Sequence, residues 1–211
     1  LQSAPIALLD LPHLKEAGLL LAWPEGERIY TGSTEALAKA LSSSGDDFVI
    51  ITDDAKNLCK KYPAFFSIAS DCIFDLSLAA YLLSPEDRAY GWEQLARGFG
   101  EQSGSPHTAS EHPGFLALDL YRFMLEQIKG AGLEEVLKKL ELPLVPVLAN
   151  MEQRGVRINK MAFGDFLAEV QKDLDRLTEQ IHGMAGRVFN IRSSQQLSDV
   201  LFTVQELPTA G

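Results

Sequence analysis

At 211 residues, 46% hydrophobic and 23% charged, the chain has the make-up of an ordinary globular protein, with room for one large domain or a medium one with an appendage. No apolar run approaches the roughly 18 residues of a membrane span and no signal-peptide pattern opens the chain, which argues against a membrane protein and for the cytoplasm. The net charge of −10 is unevenly placed: residues 1–141 carry 12 Lys+Arg against 21 Asp+Glu, residues 142–211 carry 7 against 8. The acidic front is therefore a poor nucleic-acid surface, since phosphate binding needs local positive charge.

The first residue is Leu1 rather than Met, so the chain reads as a piece of a longer protein. L-L-L-A-W at 19–23, P-E-G-E at 24–27 and R-I-Y-T at 28–31 spell a strand, a Pro/Gly turn and a returning strand, a hairpin. Ser33 and Thr34 offer a cap to a helix over 35–41. Residues 42–47 form a loop, and F-V-I-I at 48–51, bounded by charge, reads as a buried central strand. Asp53 and Asp54 can cap a helix running through Lys60. Residues 72–74 form another short strand, and Asp75 caps an apolar helix over 76–83. Residues 101–113 are loose and aperiodic, and helices resume at 115–128 and 133–140. Strands alternating with helices argue for an α/β layer structure.

Two prolines, Pro143 and Pro146, bracket an apolar turn that opens into a helix ending at Gly155, and a short V-R-I leads to a capping Asn159. In the long helix that follows, Phe163, Phe166, Leu167, Val170, Leu174, Leu177, Ile181 and Met184 fall at steps of three and four, one apolar stripe that needs a partner. Cys59 and Cys72 lack metal-ligand spacing and suit buried free thiols in a reducing compartment. His13, His107, His112 and His182 are dispersed, without a second ligand at metal spacing.

The run L-P-L-V-P-V-L-A-N-M-E-Q-R-G-V-R-I-N at 142–159 and the run F-N-I-R-S-S-Q-Q-L at 189–197 resemble the entry into the polymerase region of the DNA polymerase I family (family A). F-D-L-S-L-A-A-Y-L-L at 74–83 is similar to a segment of that family's 3′–5′ exonuclease domain. The resemblance implies a ribonuclease-H-like mixed sheet flanked by helices over residues 1–141. It implies an all-helical start of the polymerase domain, the beginning of the thumb, over residues 142–211, truncated at Gly211.

The exonuclease chemistry so implied uses two divalent metals, which need several carboxylate oxygens converging on one spot. The family supplies them from a D-x-E on its first strand, an Asp closing N-x-K-[FY]-D, and an Asp in Y-x-x-x-D. Here D-A-K-N-L at 54–58 puts Leu58 where the second of these acids stands, and residues 20–23 contain no acid, as though the family's first strand had been shortened or lost. F-L-A-L-D at 115–119 keeps Asp119, with Phe115 in place of the Tyr. Asp119 is thus the one remnant of the set, and no catalytic or metal-ligating residue is assigned.

The resemblance implies a fragment of a DNA-directed DNA polymerase in DNA replication and repair, whose exonuclease-like domain is inactive and structural. The parent would bind DNA and copy it from deoxynucleotides with Mg²⁺, in palm and fingers that lie outside this chain. Contacts to duplex phosphates are expected from Arg187, Arg192, Ser193, Ser194 and Gln195, polar and basic residues at a helix start. Two other readings stay open: an active metal-dependent exonuclease using Glu25, Glu27, Asp53 and Asp54, and a non-enzymatic interaction module.

Overall fold

The computed structural model describes residues 4–11, 18–43 and 48–208. Five strands make one mixed sheet: β1 (Ala4–Leu9), β2 (Leu19–Trp23), β3 (Gly26–Tyr30), β4 (Phe48–Thr52) and β5 (Ile73–Asp75), in the order β3-β2-β1-β4-β5. The hairpin expected from the turn chemistry is there, with Trp23 opposite Gly26 and Leu19 opposite Tyr30. Strand β4 lies inside the sheet, parallel to both β1 and β5, as its unbroken apolar run requires.

Strand β1 corrects the expectation of a lost first strand. It precedes the hairpin, pairs antiparallel with β2 and parallel with β4, and ends against Asp10. Its Pro5, which cannot donate to a ladder, argues against a central strand. The register resolves the conflict: β2 pairs only with residues 7–9, so Pro5 has a strand on one side alone, opposite Val49.

Alternation along β1 sends Ala7 and Leu9 to one face and Leu8 to the other, all three fully buried. One face packs Leu20, Ala22, Ile51 and Phe74 under α3 (Leu76–Leu83), α4 (Trp92–Ser103) and α5 (Pro113–Gly130). The other packs Leu19, Phe48 and Ile50 under α1 (Thr34–Ser43) and α2 (Ala55–Lys61). Each fully buried Leu or Ile removes enough apolar surface to stabilise by about 1.5–3 kcal/mol. Helix α4 was not expected: it starts before the segment read as loose, burying Trp92, Leu95 and Phe99, and closes on Gly104 in the left-handed conformation.

After α5 the chain runs through a single turn, α6 (Glu134–Val136), and a widened π turn over Leu137–Glu141 directly into α7 (Leu142–Arg154). The two prolines therefore lie within a helix instead of bracketing a turn. Pro143 falls in the first turn of α7, directly after the π turn, where it withholds one backbone donor. Pro146 forfeits the bond to the Leu142 carbonyl, yet the helix persists because Leu142, Val145 and Ala149 are buried. At its end Gly155, with φ of 64°, donates its N–H to the Met151 carbonyl at 3.0 Å.

The chain divides into two compact units after Gly155. Helix α7 packs against α2, and residues 142–155 group with the sheet. The second unit opens with α8 (Lys160–Ala185), capped by Asn159, whose side chain accepts from the N–H groups of Met161 at 3.1 Å and Ala162 at 3.3 Å. Its small core joins Ala185, Phe189 and Val200 with Ile181, Ile191 and Leu197, the last on α9 (Ser194–Ser198). The N-terminal part of the α8 stripe stays open, with Phe163 and Phe166 each 62% exposed. Among the described residues no helix is long and apolar enough to cross a membrane.

Candidate functional site

Strands of a parallel α/β sheet present their carboxyl ends on one side, and ligands favour the crevice there. In this sheet β1 delivers Asp10, β4 delivers Thr52, Asp53 and Asp54, and the start of α3 delivers Ser77, all to one cleft of about 590 Å³. Asn57, Leu58 and Lys61 of α2 and Tyr90 and Gly91 before α4 complete its walls. Sequence reasoning missed Asp10, Thr52, Lys61 and Tyr90. An acid directly after an apolar run was the available signal for Asp10; nothing local marked the others.

The carboxylates near this cleft are mostly committed to the fold. Asp54 caps α2, accepting from the Asn57 N–H at 2.9 Å and from the Asn57 side-chain amide at 2.6 Å. Asp75, 2% exposed, caps α3 through the Leu78 N–H at 2.9 Å, as expected, and also accepts the Ala55 N–H at 2.7 Å. Burial pushes its carboxyl up to about 7, against the two backbone donors that pull it down. Asp53 departs from its expected capping role. Its backbone carbonyl accepts from the Ser77 N–H and hydroxyl, while its side chain lines the cleft. Burial raises that carboxyl to about 6, with the charges of Asp54 and Asp10 adding to the effect.

Asp10 is held by Lys61, whose Nζ stands 2.9 Å from Oδ1 and 2.7 Å from Oδ2. Leu58, where the resemblance implies a metal ligand, is buried in the wall. At the floor the Thr52 hydroxyl is buried without a hydrogen-bond partner among the described residues.

The other candidate acids lie elsewhere. Asp119 does not line the cleft; it accepts from the Ser105 hydroxyl at 2.7 Å and from Arg122 at 3.2 Å. Glu25 is exposed at the hairpin turn. Glu27 crosses from β3 to the start of α5, accepting the Gly114 N–H at 3.1 Å and pairing with the His112 ring at 2.8 Å. The fold thus does not bring Glu25, Glu27, Asp53 and Asp54 together. Among the described residues no three His, Cys, Asp or Glu side chains stand close enough to hold a metal ion, so the donor set does not fit the two-metal centre.

In the second unit Ser193 caps α9, its hydroxyl accepting the Gln196 N–H at 3.4 Å. Ser194 and Gln195 are exposed on the first turn. Arg187 faces Asp199 at 3.5 Å. The exposed Arg192 has its backbone N–H held by the Asn190 side chain at 3.0 Å, and its guanidinium has no acidic partner among the described residues.

No family model matches the chain. It is 38% identical over 160 residues to DNA polymerase I of Rhizobium leguminosarum, a match covering 65% of this chain and 16% of that protein. It is 34% identical over 140 residues to the thermostable DNA polymerase I of Thermus thermophilus, again covering 65% and 16%. The chain thus spans about a sixth of the length of these relatives. Among solved structures it is similar to the POL domain of Pol1 from M. smegmatis in complex with DNA primer-template and dNTP. The TM-score is 0.69 at 24% identity, covering 90% of this chain and 34% of that one, a likeness of fold.

Proposed function

This segment belongs with the bacterial DNA polymerase I enzymes of family A, and from that premise we propose that it joins a catalytically silent exonuclease-like domain to the start of the thumb. The parent acts as a DNA-directed DNA polymerase of replication and repair in the cytoplasm. It binds primer-template DNA and deoxynucleotides, and Mg²⁺ supplies the charge stabilisation for nucleotide transfer in parts beyond this chain. The segment itself cleaves nothing.

One observation carries the silent reading: the acids that a two-metal exonuclease would gather are spent at separate places on helix ends and ion pairs. Asp54 and Asp75 cap helices, Glu27 holds the start of α5, and Asp119 is tied to Ser105 and Arg122. Hard divalent cations need several oxygens at one point, and Leu58 offers none.

The test is hydrolysis of 3′-labelled single-stranded DNA by the 211-residue chain in Mg²⁺ or Mn²⁺. The expected result is no release above a metal-free control. Metal-dependent degradation abolished by Asp53→Asn would overturn the reading in favour of an active exonuclease with an atypical carboxylate set.

A further inference from the structure

We propose that the Lys61 ammonium is the resident cation of the cleft at the carboxyl ends of β1 and β4, balancing Asp10 beside Asp53 where the resemblance implies divalent metal. The inference deepens the silent-domain reading and rests on it.

Of the cleft's ionisable side chains, Asp54 is committed to the N-terminus of α2. Asp10 and Asp53 remain, and among the described residues Lys61 is the one basic residue in the lining. Its neighbour Lys60 is turned away to Glu152 at 2.7 Å. Lys61 sits in the last turn of α2, where the helix dipole favours a cation, with its ammonium 5.2 Å from the centre of the Tyr62 ring. Both Asp10 oxygens lie within 2.9 Å of it.

The donor set suits an ammonium better than a divalent ion. A single positive charge with three donors is satisfied by one carboxylate and its neighbours, whereas a hard divalent cation requires oxygens that the Leu58 wall does not supply. The Lys61 side chain is 58% exposed and that of Asp10 23%, so solvent screens the repulsion to the modest size of a surface pair. Removing Lys61 would leave Asp10 and Asp53 facing each other uncompensated.

Thermal unfolding of the 211-residue chain tests this. Wild type should melt at the same temperature in EDTA and in millimolar Mn²⁺. Lys61→Met, which keeps the apolar stem, should melt about 1–2 °C lower, and Lys61→Arg should stay at the wild-type value. Adding Asp53→Asn to Lys61→Met should recover most of the loss, because it removes the repulsion rather than the ion pair. A wild-type melting point lowered by EDTA would overturn the proposal. So would a Lys61→Met variant as stable as wild type, or a loss that Asp10→Asn relieves and Asp53→Asn does not, which would reduce Lys61 to an ordinary surface pair. Hydrolysis of DNA by the wild-type chain would defeat the silent-domain reading through a different measurement, leaving the pattern of melting temperatures to stand or fall by itself.

Discussion

The Asp75 carboxylate accepts the Ala55 N–H at 2.7 Å across the gap between neighbouring parallel strands. Because it also accepts the Leu78 N–H, one side chain terminates two helices that start side by side at the ends of β4 and β5. Capping normally satisfies orphan donors of a helix from within the same chain segment. Here a single buried acid locks α2 and α3 to the sheet together.

Asp75→Ala should therefore cost more than a single cap. Two buried N–H groups lose their acceptor, and the expected destabilisation is about 2–4 kcal/mol, with Asp75→Asn, which keeps an acceptor oxygen, costing less. Denaturant unfolding measures both. A loss within the usual range of an exposed cap would show that the Ala55 bond contributes little.

The pH dependence has a definite direction. Burial raises the carboxyls of Asp75 and Asp53 to about 7 and about 6 from an ordinary 3.8. The folded chain thus keeps protons that the unfolded chain releases, so the stability due to these groups is full below 3.8 and is lost as pH rises through their folded values. The stability of wild type relative to Asp75→Asn should fall between about pH 4 and about pH 7 and level off above that. A relative gain for wild type over that window would contradict the assignment.

Glu152 of α7 meets two lysines of α2, Lys56 Nζ at 2.8 Å and Lys60 Nζ at 2.7 Å, and these bonds hold its carboxyl down at about 2. Gln153 adds a bond to the Lys60 carbonyl at 3.0 Å. Glu152→Gln should lower the melting temperature at low ionic strength, and the difference should vanish near 1 M salt, where the Debye length is about 3 Å. Persistence of the full difference at high salt would point to packing instead of charge.

Gly114 lies where α5 presses on β2. A Cβ there would run into the Ala22 side chain and come within 2.7 Å of Glu27 Oε2. Gly114→Ala should destabilise by about 1–3 kcal/mol through overpacking and should also disturb the Glu27–His112 pair. Wild-type stability in equilibrium unfolding would mean that the hairpin yields easily at this point.

In the parent enzyme, Arg192→Ala should weaken duplex binding several-fold and reduce the slope of log K against log salt by roughly 1, independently of base sequence. Lys56→Ala and Lys60→Ala should leave that slope unchanged, since Glu152 already claims both ammonium groups. The reverse outcome in a salt titration would move the contact to the sheet-bearing unit.

Much of the scaffold was legible because local chemistry and tertiary packing agree there. The 19–31 hairpin, the strand at 48–51, and the caps at Asp54, Asp75 and Asn159 all form where turn, apolar-run and capping signals stand. Strand β1 was hidden by Pro5, whose tolerance depends on how far β2 extends, a matter of register rather than of composition. Helix α4 was obscured by Gly98 and Gly100 within its pattern, and the helix through Pro146 by a rule that burial overrides. The cleft was least legible. Asp10 and Lys61 meet, in one cleft with Asp53, because parallel pairing of β1 with β4 aligns two strand ends far apart in sequence.

Helix α7 begins the run whose motif resembles the polymerase entry, yet its buried residues are seated in the sheet-bearing unit: Leu142 joins the cluster beneath α3 and α5, and Ala149 the cluster beneath α1 and α2. A lineage that gave up exonuclease chemistry could shed its metal ligands one substitution at a time. It could not shed the sheet as well without uncovering the apolar side of the helix that leads onward. The price of that deletion would fall on the helix that leads onward, which is a physical ground for keeping the domain whether or not it reacts.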